Sequence, residues 1–238
     1  MSDRHDIPVT LGWMAGGTAL LLAQVDALDD AALEEPCRLP AWGRRHLVAH
    51  LAHNATALGN LLRWAQTGVE TPMYSSQTQR NDDIARSATD APDALRRDLA
   101  GTAAALDAHV REVTPQQWGA TVRTAQGRDI PAAEVPWMRA REVWLHALDL
   151  GTGVSVAQLP DDFSETLIDD VLGFFAKAAG APVLRLAAKG SGREWTLGDP
   201  APAASIGGTP PALAAWLTGR SDGRDLDAAE LPELPRWL

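Results

Sequence analysis

Four stretches in the first 150 residues of this 238-residue chain repeat apolar side chains every three or four positions. That helical period limits the fold more than any other feature, because each apolar stripe must be buried against another element. The first stretch runs from Val9 to about Leu28, weakened by the Gly16–Gly17 pair. The second spans Arg44 to Thr67 and is stopped by Gly68, a residue suited to a helix C-terminus. A strong third follows Asp90, which reads as an N-cap with Pro92 in the first turn. The fourth covers Pro136 to Leu150 and ends at "GTG". A shorter helix is expected over 76–88, and 114–135, with its glycines and prolines, reads as a loop. Four long helices joined in this way predict an antiparallel bundle.

The pattern changes near Gly180-Ala181-Pro182. Before it, 160–179 reads as a further helix. After it, "VLRLAAKG" and "REWTLGD" alternate apolar and polar residues around Gly-Ser-Gly, the signature of a β-hairpin. "TPPALAAWLTGR" then reads as a last helix opened by proline. The expected fold class is α+β, with a four-helix bundle over 1–155 and a smaller α+β domain over 156–238.

Composition narrows the partners. Hydrophobic residues make up 45% of the chain, enough to bury a core, and the formal net charge of −10 disfavours nucleic acid and anionic membranes. The single cysteine, Cys37, rules out an internal disulfide and suits a reducing compartment. On this reading no apolar run is as long as a membrane span, and "MSDRHDIPVT" lacks the apolar core of a signal peptide, so a cytoplasmic location is expected.

Two helices carry polar residues that a plain bundle would not need. In "REVWLHALDL", Glu142, His146 and Asp149 stack along one edge, beside a broad face of Val143, Trp144, Ala147 and Leu148. A buried carboxylate and imidazole are costly unless paired or bound to a cation. A solvent-facing Glu–His hydrogen bond explains the edge equally well. On the second helix His46, His50 and His53 fall within a narrow arc, away from the Leu47, Leu51, Leu58 and Leu62 face. Two histidines and one carboxylate with an open position form the donor set of catalytic zinc sites. Spacing favours His50, central in the stripe, but leaves His46 and His53 open.

"LPAWGRRHLVAHLAHNATAL", "TGVETPMYSSQTQRNDDIARSA", "VPWMRAREVWLHALDLGTG" and "WLTGR" follow one another as in the mycothiol-dependent maleylpyruvate isomerases, which this chain resembles over nearly its whole length. That resemblance implies a DinB-like bundle with Zn²⁺ held by His50, Glu142 and His146. It implies a role for Arg220 of "WLTGR", an arginine contributed by the C-terminal domain. It also implies the conversion of maleylpyruvate to fumarylpyruvate in gentisate-type aromatic catabolism. Mycothiol is the expected cofactor: its thiolate adds to the cis double bond, the bond rotates, and elimination leaves the trans isomer. The expected partners are thus a small dicarboxylate and a low-molecular-weight thiol. Arg220 and Arg80 are the candidates for holding these anions, since a guanidinium binds carboxylates bidentately. Tyr74 is a candidate hydrogen-bond donor, and Asp149 is expected to orient His146 rather than bind metal. Cys37 reads as structural. Rival readings are a mycothiol S-transferase that detoxifies electrophiles and a non-catalytic zinc-binding bundle.

Overall fold

A computed structural model describes residues 4–178, 180–199 and 205–237; position 179, the expected end of the helix 160–179, lies outside the described residues. The chain divides into two compact units, with the division between Thr152 and Gly153. The N-terminal unit contains α1 (Ile7–Ala27), α2 (Asp30–Leu33), α3 (Arg44–Thr67), α4 (Gln77–Ser87), α5 (Pro92–Arg111), α6 (Pro115–Trp118), β1 (Thr121–Arg123), β2 (Asp129–Pro131) and α7 (Glu134–Asp149). The four long helices pack as α1 on α7 and α3 on α5, and contacts of α3 with α7 and of α1 with α5 close the bundle. Their facing stripes are dry: Leu21, Leu47, Leu51, Leu58, Leu62 and Leu99 are all fully buried.

The glycine pair that weakens the first helical pattern has a packing role. A Cβ on Gly17 would lie 2.5 Å from Val143 Cγ2 and 2.9 Å from Trp144 Cδ1, so only glycine lets α1 lie this close to α7. The same contact is pinned by Trp144 Nε1, which donates to the Trp13 carbonyl at 2.9 Å. Gly68 closes α3 with φ of 70°, the left-handed conformation expected of a C-terminal glycine. At the other end of α3, buried Arg44 donates from Nε to the Leu150 carbonyl (2.9 Å) and from Nη1 to Ala32 (2.7 Å). This guanidinium fixes the start of α3 against the end of α7.

Several local expectations change. Residues 114–135 are not a plain loop: α6 opens with a Thr114–Gln117 capping box, and β1 and β2 form an antiparallel hairpin with Val122 opposite Ile130. Three-residue strands are too short to show a period of two, which is why the pattern hid them. Helix α7 consequently begins at Glu134. Asp90 does not cap α5; Ala91 occupies the N-cap with no side-chain bond, and the Asp90 carbonyl instead accepts from Arg45. Among the described residues one helix, α1, is long and apolar enough by length and composition to cross a membrane, contrary to the expectation of no such run. Leucine, alanine and valine supply that apolarity, while Trp13, Gly17, Leu21 and Val25 form a buried face at helical spacing.

The C-terminal unit contains a 3₁₀ turn (Val156–Gln158), α8 (Asp161–Phe175), β3 (Leu184–Ala188), β4 (Glu194–Leu197), β5 (Ser205–Gly208) and α9 (Pro210–Leu217). The expected hairpin is β3–β4, with Leu186 opposite Trp195. The sheet order is β4-β3-β5, and β5 runs parallel to β3. "SIGG" has too few side chains to announce itself as a strand. Helix α8 packs on α9, and its Asp169 accepts from Arg193 Nη2 (2.7 Å) and Trp195 Nε1 (2.8 Å), tying that helix to β4 and its turn. The architecture is the expected α+β class, a helical bundle with a smaller mixed unit.

Candidate metal centre

Helices α3 and α7 bring His50, Glu142 and His146 together, with one donor atom from each within 4.8 Å of the others. Glu142 Oε2 lies 2.9 Å from His50 Nε2 and 3.2 Å from His146 Nε2. The four-residue spacing sets Glu142 and His146 one above the other on α7, and the packing of α3 delivers His50 across from them. The two imidazole rings stand nearly perpendicular, 84° between planes at 5.2 Å. Trp42, from the segment before α3, packs edge-on against His50 at 5.4 Å.

The donor set suits a divalent ion. Two ligands at about 2.05 Å in a tetrahedron stand roughly 3.3 Å apart, close to the spacings within this cluster. The second nitrogen of His146, Nδ1, lies 2.8 Å from Asp149 Oδ2, and Asp149 is only 2% exposed. A carboxylate on Nδ1 leaves Nε2 as the nitrogen offered to a cation. Glu142 keeps 30% of its side-chain exposure, so the cluster is reachable from solvent and an added ligand has access.

The electrostatics are those of a charged cluster held partly out of water. Burial lowers the His50 pKa, against the hydrogen bond with Glu142. Burial alone would raise the Glu142 carboxyl, but hydrogen bonds with His146 and His50 outweigh it and hold the group well below its ordinary value. Burial likewise disfavours charged His146, yet Asp149 and Glu142 on its two nitrogens push it up to about 9. The ionised Glu142 is ready to receive a dication, and binding one there would displace the proton that His146 carries at neutral pH.

Arg80 and Tyr74 border the cluster. Arg80 Nη2 donates to His50 Nδ1 at 3.2 Å, and its guanidinium lies 5.6 Å from the Tyr74 ring centre. Burial raises the Tyr74 hydroxyl pKa, and Arg80 opposes the rise. His46 and His53 do not join the cluster: His53 Nε2 is 2.9 Å from Ser87 Oγ at the end of α4, and His46 lies beside Trp42 at 6.5 Å. Arg220 belongs to the C-terminal unit, half-buried just past α9, with Nη1 donating to the Thr218 carbonyl at 2.8 Å. Cys37 Sγ lies 3.4 Å from the Trp42 carbonyl, and burial pushes its thiol up, away from thiolate chemistry.

The model of the mycothiol maleylpyruvate isomerase N-terminal domain matches residues 14–151. A crystal structure of the mycothiol-dependent maleylpyruvate isomerase is 37% identical over 100% of both chains, with a TM-score of 0.89. The chain belongs to the mycothiol-dependent maleylpyruvate isomerase family. A histidine-to-alanine mutant of that enzyme matches equally well, at 37% identity, full coverage of both chains and a TM-score of 0.88. No curated protein matches.

In this family member two further polar residues join the helices that carry the cluster. Arg139 is 1% exposed and donates from Nη1 to the Leu51 carbonyl and to Asn54 Oδ1, both at 2.8 Å. Asn54 is the second. A signal existed: Arg139 lies three positions before Glu142 and Asn54 four after His50, so both share the ligands' helical stripes.

Proposed function

We propose that this chain is a zinc-dependent isomerase that converts maleylpyruvate to fumarylpyruvate with mycothiol as thiol cofactor, using His50, Glu142 and His146 as metal ligands. The observation that carries the reading is full-length likeness, at 37% identity, to a mycothiol-dependent maleylpyruvate isomerase. The convergence of two histidines and a carboxylate supports the metal chemistry. A dication bound there would acidify a coordinated thiol enough to make thiolate at neutral pH.

The chain's own residues would then do the following. Asp149 holds the His146 ring and fixes its tautomer. With His50 Nε2 engaged as a ligand, the ring proton sits on Nδ1, and His50 no longer accepts from Arg80. The Arg80 guanidinium is thereby released to another acceptor, and a substrate carboxylate beside Tyr74 is the one this reading assigns. Arg220 is assigned to an anionic group of substrate or thiol, a role supported by its position in "WLTGR". Two arginines offset the unfavourable field of a chain with net charge −10. The working compartment is taken to be the cytoplasm.

Loss of maleylpyruvate absorbance, followed with mycothiol, with glutathione and with no thiol, tests this reading. Turnover is expected with mycothiol alone. Turnover without added thiol would overturn the cofactor assignment and bring Cys37 back as nucleophile.

A further inference from the structure

The Arg139 guanidinium is buried, and its Nη2 is sealed from solvent with no hydrogen-bond partner. Its other terminal nitrogen reaches only neutral acceptors, the Leu51 carbonyl and the Asn54 amide oxygen. Buried arginines usually sit on a carboxylate, because an uncompensated charge away from water is expensive. An arginine kept only to join α3 to α7 would be replaced at lower cost by an apolar side chain. The guanidinium stays protonated at neutral pH, since burial lowers it only to about 10. The groups that feel its charge are Glu142, one helical turn along α7, and Tyr74.

The geometry points to Arg139 as a positioning residue that acts through Glu142: a fixed buried cation, with no bonded counterion, that holds down metal affinity and keeps the bound metal electron-poor. A positive charge behind a ligand carboxylate competes with the metal for its electron density. The ion is held less tightly, and it withdraws more charge from whatever occupies its open position. This inference rests on the metal-centre reading above.

The test has an opposite sign for the two roles Arg139 can have. If it merely aligns α3 on α7, its removal misplaces His50 and metal binding weakens. If it acts as a cation, its removal tightens binding. Zn²⁺ affinity is measured by competition with a chromophoric chelator for the wild type, Arg139→Met, Arg139→Lys and Asn54→Asp. Arg139→Met is expected to bind about tenfold more tightly or better, since a like charge is removed from near a dication. Arg139→Lys keeps the charge and is expected to stay near the wild type. Asn54→Asp retains arginine and shape but gives the guanidinium a counterion, so it is also expected to bind more tightly. It keeps the test open if Arg139→Met does not fold. Equal or weaker binding in the folded neutralising variants overturns the inference. Failure of the wild type to bind stoichiometric metal would instead overturn the metal-centre reading itself.

Discussion

Asp149 shows how one side chain sets the chemistry of another. Its carboxylate takes His146 Nδ1 at 2.8 Å while its own surroundings are almost dry, so the imidazole has a single orientation and a single nitrogen to offer. Asp149→Asn keeps the shape but loses the charge, and metal affinity is expected to fall about 10- to 100-fold, measurable by chelator competition. His50→Ala, Glu142→Ala and His146→Ala are expected to emerge from purification without stoichiometric metal, as elemental analysis would show. Any one of the three that keeps a full complement would remove that residue from the ligand set. The Glu142–His146 pair was legible in sequence because i, i+4 spacing on a helix translates directly into neighbouring side chains, whereas spacing left His46 and His53 open beside His50. Spacing also puts Arg139 on the ligands' stripe, but it does not say that the guanidinium turns inward to find a backbone carbonyl on α3.

At the scale of elements, the helix pairs hold the centre in register. Gly17 sets the distance between α1 and α7, and α7 carries Glu142 and His146. Gly17→Val is expected to destabilise the protein by about 1–3 kcal/mol through overpacking, read as a lower urea midpoint. Gly12→Ala in the same helix, where a Cβ meets nothing within 4 Å, is expected to be neutral or stabilising. The α3–α5 seam holds a titratable side chain, His109, whose Nε2 lies 2.8 Å from Gln66 Oε1. Burial lowers the His109 pKa below its usual 6.5. As pH falls through about 6.5, the unfolded chain gains a proton that folded His109 takes up only at lower pH. Its contribution to stability is therefore present above that range and lost below it. His109→Gln is expected to flatten the decline in Tm between about pH 7.5 and 5.5. The long helices could be read from periodicity, whereas the β1–β2 hairpin and β5 could not, being too short to display a period.

At the scale of the whole molecule, the residues named in the proposed function come from both units. Arg220 lies in the C-terminal unit and every proposed metal ligand in the N-terminal one. Arg220→Ala is expected to retain full metal and lose about 10- to 100-fold in turnover, the worth of one charge-assisted hydrogen bond. Metal content and steady-state kinetics on one preparation check both halves; normal turnover would end the anion-binding assignment. Sequence by itself determined the elements that repeat: four amphipathic helices, the hairpin β3–β4, and the stripes on which His50, Glu142, His146 and Asp149 lie. These follow from local geometry, since backbone period alone decides which side chains share a face. Tertiary structure alone decided that His50 rather than His46 or His53 meets α7, that Gly17 is a contact and not a flaw, and that Arg139 is buried with an unused N–H. Those facts depend on the rotation and separation of one helix against another, which the packing of many distant side chains settles together and no single stretch of sequence encodes.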